Sequence, residues 1–157
     1  MATPVLLERR FVSGDAAATR ELGARLAAVA RAGDLVCLRG DLGAGKTQLA
    51  KGFGAGLGVT DTISSPSFIL MAEYAGRLPL FHVDLYRLAD AADVLTVGVI
   101  DERQAAGVTL VEWPERMESV LPAARLDISI EGTGEEARAI TLRAGSPELA
   151  RYLEALP

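Results

Sequence analysis

Hydrophobic positions along the chain alternate between strand-like and helix-like spacing, and the changeovers fall at glycine, proline and short polar clusters. Leu6 to Val12 reads as a short strand, followed by a turn at Ser13-Gly14-Asp15 that also offers a helix cap. Leu22, Leu26, Val29 and Ala30 recur at helical spacing, which predicts a first helix from about Asp15 to Arg31. Gly33-Asp34 stops it, and the apolar run Leu35-Val36-Cys37-Leu38 has the character of a strand buried on both faces of a parallel sheet. Lys46 to Leu57 is again helical in period and ends at Gly56 or Gly58. Two apolar segments, Phe68 to Tyr74 and Leu78 to Asp84, flank Ala75-Gly76-Arg77 and predict an antiparallel hairpin. A short helix over Asp90 to Val97 and a buried strand over Val108 to Glu112 come next. Leu126 to Ile130 and Ala139 to Leu142 then form a second hairpin-like pair around Gly132-Thr133-Gly134. Ser146-Pro147-Glu148 combines a cap, a proline at the first helical position and an acid in the first turn, so the chain is expected to end in a helix.

This succession describes an α/β domain whose central sheet mixes parallel and antiparallel strands and is flanked by helices. No repeat, low-complexity tract or linker interrupts residues 1–157, so a single domain is expected over the whole chain. Half of the residues are hydrophobic, enough for a sizeable core at this length. A net charge of −5 removes the simplest route to tight nucleic-acid binding, which needs a basic face to displace counterions from phosphates. Any RNA would therefore be held mainly by a partner. One cysteine, Cys37, leaves no internal disulfide and lies in an apolar run, in keeping with a reducing compartment. The first residues lack a charged start followed by a long apolar stretch, and no apolar run is long enough to span a membrane. The expected location is the cytoplasm.

The chemistry is concentrated in Gly40-Asp41-Leu42-Gly43-Ala44-Gly45-Lys46-Thr47, a complete G-x-x-x-x-G-K-[ST] phosphate-binding loop between a strand and a helix. Glycines let consecutive N–H groups face a polyphosphate, and the helix N-terminus adds positive potential. Lys46 neutralises the β- and γ-phosphates and the Thr47 hydroxyl can ligate Mg²⁺, so the fold expected is that of a P-loop NTPase. The nucleotide-contacting run is Asp41, Leu42, Gly43, Ala44, Gly45, Lys46, Thr47 and Gln48. Of 16 basic residues only Lys46 and Lys51 are lysines; a slim ammonium can enter between phosphates where a planar guanidinium cannot.

Such a loop needs a carboxylate at the end of a neighbouring strand, to hold the metal or its water. Two apolar runs end in one, at Asp84 and at Glu112, and both acids could serve together. Alternation puts His82, Asp84 and Tyr86 on one face of their strand. The one histidine, His82, could tune the site or orient Asp84, or be a structural residue bonded to backbone. Trp113 reads first as a core anchor fixing the strand end, and second as a partner contact. Ser64-Ser65-Pro66-Ser67-Phe68 follows the loop helix, where a hydroxyl such as that of Ser67 can sense the γ-phosphate, or the run can be an ordinary Ser-Pro turn.

Together these residues resemble the bacterial TsaE (YjeE) family, the ATPases of tRNA N6-threonylcarbamoyladenosine biosynthesis. The resemblance rests on four motifs in order. They are the loop at 40–47, Ser65-Pro66-Ser67-Phe68 where the family writes Ser-Pro-Thr-Phe or Tyr, His82-Val83-Asp84-Leu85-Tyr86-Arg87, and Val111-Glu112-Trp113-Pro114. Ser67 in place of threonine keeps the hydroxyl and loses a methyl. The resemblance implies that Thr47 and Glu112 ligate Mg²⁺ and that Lys46 and Asp84 are the catalytic residues of a weak ATPase. It also implies that residues 65–68 are a switch loop and that adenine lies near Asp15 to Thr19, with Thr19 in contact. The partners implied are TsaD and TsaB, the complex that places threonylcarbamoyl on adenosine 37 of ANN-decoding tRNAs, with the tRNA reached through that complex. A small-molecule kinase shares the loop and the size, but lacks a counterpart here to its arginine-rich lid. A G protein is less favoured still, because a chain without asparagine cannot write Asn-Lys-x-Asp. A nucleotide-gated binding module with incidental hydrolysis stays open.

Overall fold

The computed structural model describes residues 7–41, 43–63, 71–86 and 102–157. Among them seven strands form one sheet: β1 (Glu8–Ser13), β2 (Leu35–Arg39), β3 (Met71–Tyr74), β4 (Leu80–Asp84), β5 (Val108–Glu112), β6 (Leu126–Glu131) and β7 (Arg138–Ala144). Their order is β1-β7-β6-β2-β5-β4-β3. The four central strands, β6, β2, β5 and β4, are mutually parallel, and antiparallel strands close both edges. The centre is parallel because β2, β4 and β5 are apolar on both faces; every residue of β5 is buried. β6, by contrast, alternates buried and half-buried positions.

Both expected hairpins are present. Met71 to Tyr74 pairs with Val83 to Leu80, and Leu126 to Glu131 with Ala144 to Ala139. Gly132 and Gly134 turn the second pair at φ of +123° and +60°. The expected helix over 90–97, Leu42 and the segment around Ser67 lie outside the described residues.

Helix α1 (Ala16–Ala28) starts as its sequence requires, with the Asp15 carboxylate accepting the Ala18 N–H at 2.8 Å. It ends three residues before the expected Arg31, because the Asp34 carboxylate takes the Arg31 N–H at 2.8 Å and turns the chain toward β2. Helix α2 (Lys46–Gly56) lies directly against α1. The approach is close enough that a Cβ on Gly52 would sit 1.9 Å from the Arg20 carbonyl oxygen, and one on Gly23 would sit 2.4 Å from that of Leu49. The chain ends in a helix as expected, with Pro147 in its first turn, but the expected cap is missing. Ser146 makes no side-chain cap; Leu149 N–H bonds its carbonyl at 3.1 Å in a 3₁₀ turn, and α3 covers only Ala150–Glu154.

The main core lies between the sheet and these helices, with Leu22, Leu26, Leu49, Phe53, Leu110, Ile128 and Tyr152 among its buried members. A smaller cluster of Cys37, Val83, Leu85, Val111 and Met117 forms around Met117, which a 3₁₀ segment at Pro114–Val120 supplies. That segment was not expected from sequence. Parallel pairing carries the ends of β2, β4 and β5 to one edge, where Asp84 is the register partner of Glu112 and Glu112 that of Leu38.

Candidate active site

Residues 40–47 leave the end of β2 and enter α2 through a backbone that only glycines adopt without strain, with φ of +154° at Gly40, +81° at Gly43 and +113° at Gly45. At Gly40 a side chain is excluded as well, since a Cβ there would lie 2.7 Å from the Ile130 carbonyl oxygen. Ala44 N–H closes the turn on the Asp41 carbonyl at 3.0 Å. Gly45 is the cap residue of α2, and no side chain caps this end. The first helical acceptor is reached only at Leu49, whose N–H bonds the Gly45 carbonyl at 3.0 Å. The N–H groups of Lys46, Thr47 and Gln48 thus lie ahead of the helical ladder, and they form a ready anion site.

Lys46 is buried to 6% exposure, and among the described residues its Nζ has no hydrogen-bond partner. The ammonium rests 3.5 Å from the centroid of the Trp113 ring, and Tyr86 packs on the same indole at 4.9 Å. Burial lowers the Lys46 pKa, opposed by the negative charges of Glu112, Glu115, Asp84 and Asp41. A buried cation with no acceptor beside a row of unpaired amides fits a polyphosphate.

Trp113 is only half-buried and takes φ of +59°, a left-handed conformation rare for a bulky residue. It touches the Met117 cluster, so it does anchor the strand end, but its ring also forms the wall against Lys46. The core-anchor reading is therefore corrected to a shared role. His82 bonds neither backbone nor Asp84 in the contacts described. Its Nε2 meets Glu112 Oε2 at 2.7 Å, with both residues buried, and its Nδ1 has no partner. The reason is the parallel register, which places the Glu112 carboxylate across from the His82 strand. Asp84 is half-buried at the strand end and accepts the Tyr86 N–H at 2.9 Å.

The structure thus groups Lys46, Thr47, Asp84 and Glu112 at one edge of the sheet. Among the described residues no three His, Cys, Asp or Glu side chains converge into a metal cage. Hard oxygen donors from Thr47 and one carboxylate nevertheless suit Mg²⁺, which completes its shell with phosphate oxygens and water. Beyond Gly45 a cavity of about 360 Å³ is lined by Asp15, Thr19, Gln48, Glu135 and Arg138. Thr19 borders it with its methyl side; the hydroxyl is committed to Ser13 Oγ at 2.7 Å and the Asp15 carbonyl at 3.3 Å. Gln48 accepts from Arg20 at 2.6 Å. Sequence reasoning missed Arg138, which reaches the loop from β7 across 94 residues; no local spacing signals that approach.

A glycine-built loop at the end of a parallel strand, a lysine at the head of the next helix and acids on adjacent strand ends define the P-loop NTPase fold. The model of the family described as threonylcarbamoyl adenosine biosynthesis protein TsaE matches residues 13–140. Two curated relatives carry the name tRNA threonylcarbamoyladenosine biosynthesis protein TsaE. That of Bacillus subtilis is 44% identical over 80% of this chain and 79% of its own length. That of Treponema pallidum is 40% identical over 85% and 98%. The crystal structure of Bacillus subtilis YdiB superimposes with a TM-score of 0.80 at 34% identity, covering 97% of this chain and 95% of that one. The chain belongs to the TsaE family. No described helix is long and apolar enough to cross a membrane.

Proposed function

We propose that this protein binds ATP with Mg²⁺ and hydrolyses it slowly, as an accessory to a TsaD–TsaB type complex in the cytoplasm. That complex would install threonylcarbamoyl on adenosine 37 of ANN-decoding tRNAs. The observation that carries the reading is Lys46, a buried ammonium without an acceptor among the described residues, at the head of α2 and close to four acids. The loop amides and Lys46 grip the phosphates, and the cavity toward Asp15 and Thr19 receives the nucleoside. Thr47 and Glu112 hold the metal, which when bound neutralises charge on the phosphate oxygens. His82 fixes the Glu112 carboxylate through its 2.7 Å contact. Asp84, at the neighbouring strand end, orders the water that attacks the γ-phosphorus in line. Residues 65–68 act as the switch that reports the γ-phosphate to the partners. An acidic chain suits this division of labour, because the partner complex holds the tRNA.

The test is reconstitution with purified TsaD, TsaB, tRNA and Mg·ATP, counting modified bases per complex. More than one turnover only when this protein is present is the expected result; equal yields without it would overturn the accessory role.

A further inference from the structure

We propose that Arg138 is a positioning residue that sets the peptide planes of the phosphate loop before nucleotide arrives; this rests on the nucleotide-binding reading above. Arg138 opens β7, immediately after the turn that closes the β6–β7 hairpin. Its Nε donates to the Ala44 carbonyl at 2.9 Å, and one terminal nitrogen donates to the Gly43 carbonyl at 3.4 Å and to that of Gly134 at 2.9 Å. The other terminal nitrogen donates to the Glu136 carbonyl. Among the described residues it pairs with no carboxylate. All three guanidinium nitrogens donate to main-chain oxygens from two segments, the loop and the hairpin turn.

Peptide geometry converts these contacts into an effect on the binding face. No peptide bond in the described chain is cis, so the C=O and N–H of each unit point in opposite directions. Holding the Ala44 carbonyl toward Arg138 turns the Gly45 N–H the other way, away from the guanidinium. Holding the Gly43 carbonyl likewise turns the Ala44 N–H inward, where it meets the Asp41 carbonyl at 3.0 Å. Both units are flanked by glycine, whose backbone rotates with little steric resistance, so sterics alone do not keep them in place. A cation donating to both carbonyls does so through charge-assisted bonds. It also adds positive charge beside the loop, on the wall of the adjoining cavity. With four of its five N–H donors on main-chain oxygens, Arg138 acts mainly through the loop.

Preset amides favour ground state and transition state alike, so their loss weakens binding and leaves turnover at saturation nearly intact. The experiment compares the wild-type chain with Arg138→Met, Arg138→Ala and Arg138→Lys. It reads Kd for Mg·ATP by calorimetry, kcat and KM by phosphate release, and thermal unfolding without nucleotide. Arg138→Met should weaken binding and raise KM by about tenfold to a hundredfold, with kcat changed less than twofold. Arg138→Lys, with one ammonium unable to span both segments, should fall between. Ethylguanidinium at millimolar concentration should restore affinity to Arg138→Ala, whose truncated side chain leaves room for it, a result that a purely structural defect would not give. Wild-type affinity in Arg138→Met overturns the proposal, and so does weakened binding in Arg138→Ala that the guanidinium leaves unrepaired. A fall in kcat at unchanged KM overturns it in favour of direct transition-state contact. If the wild-type chain itself gives no heat with Mg·ATP, the nucleotide-binding reading fails instead.

Discussion

Replacing Lys46 with methionine should remove nucleotide binding without weakening the empty protein. The side chain is 6% exposed, its Nζ has no acceptor among the described residues, and its company is the Trp113 ring at 3.5 Å. Burying a polar group unsatisfied costs about 1–3 kcal/mol, and a desolvated cation–π contact returns about 2 kcal/mol. The ammonium is thus close to neutral for stability. Methionine has a similar reach, needs no acceptor and gains about 0.3–1.5 kcal/mol from sulfur against the same ring. The empty Lys46→Met chain should therefore be as stable as wild type or up to about 1 kcal/mol more so, a rise in Tm of at most about 4 °C. Added Mg·ATP at a hundred times Kd should stabilise wild type by about 2.7 kcal/mol and the variant not at all. The two melting curves would then exchange order. The pH dependence follows from burial, which lowers the Lys46 pKa below its ordinary 10.5. Between the lowered value and 10.5 the unfolded chain binds the proton and the folded one does not, so wild-type stability rises with pH there. The advantage of methionine should be largest at neutral pH and shrink toward pH 10.5. Thermal unfolding across that range, with and without Mg·ATP, is the assay. An empty variant destabilised by more than about 1 kcal/mol would refute the reasoning, since the ammonium would then have a structural partner.

Asp84→Ala should cut ATP hydrolysis by about a hundredfold or more while Kd for Mg·ATP stays within about threefold; unchanged phosphate release would sink the role given to Asp84. Trp113 is the one tryptophan and carries the Lys46 ammonium on its ring. Its emission should shift on addition of Mg·ATP in wild type and stay constant in Lys46→Met. Gly52→Ala gains about 1 kcal/mol in helix propensity, but its Cβ would lie 1.9 Å from the Arg20 carbonyl oxygen. The clash should dominate and lower stability by about 2 kcal/mol, which denaturant titration would measure.

The elements that were legible are those whose signal is local. The loop at 40–47 announces itself through glycine, lysine and threonine at fixed spacing, and β2 and β5 through unbroken apolar runs. Even the two hairpins show in the spacing of their turns. What sequence could not supply was lateral order. Nothing local says that β5 inserts between β2 and β4, and that insertion is what brings Glu112 beside both the loop and His82. Nearness along one strand offers Asp84 or the backbone as a partner for His82, whereas the partner, Glu112, sits on the next strand. The second role of Trp113, its contact with Lys46, is not legible for a related reason: the residue takes a left-handed backbone conformation that no residue pattern predicts. The early end of α1 has a plainer origin, an aspartate carboxylate competing for a helical N–H.

The glycine-mediated crossing of α1 and α2 has a mechanical consequence. The proposed phosphate grip begins at the head of α2, and the rim of the adjoining cavity is built by Asp15 and Thr19 at the head of α1. With main chain pressed on main chain at Gly23 and Gly52, neither rod can slide or roll against the other without steric collision. The two heads behave as the fixed ends of a caliper, and the gap between them gauges how far a ligand's phosphate tail stands from the group that fills the cavity.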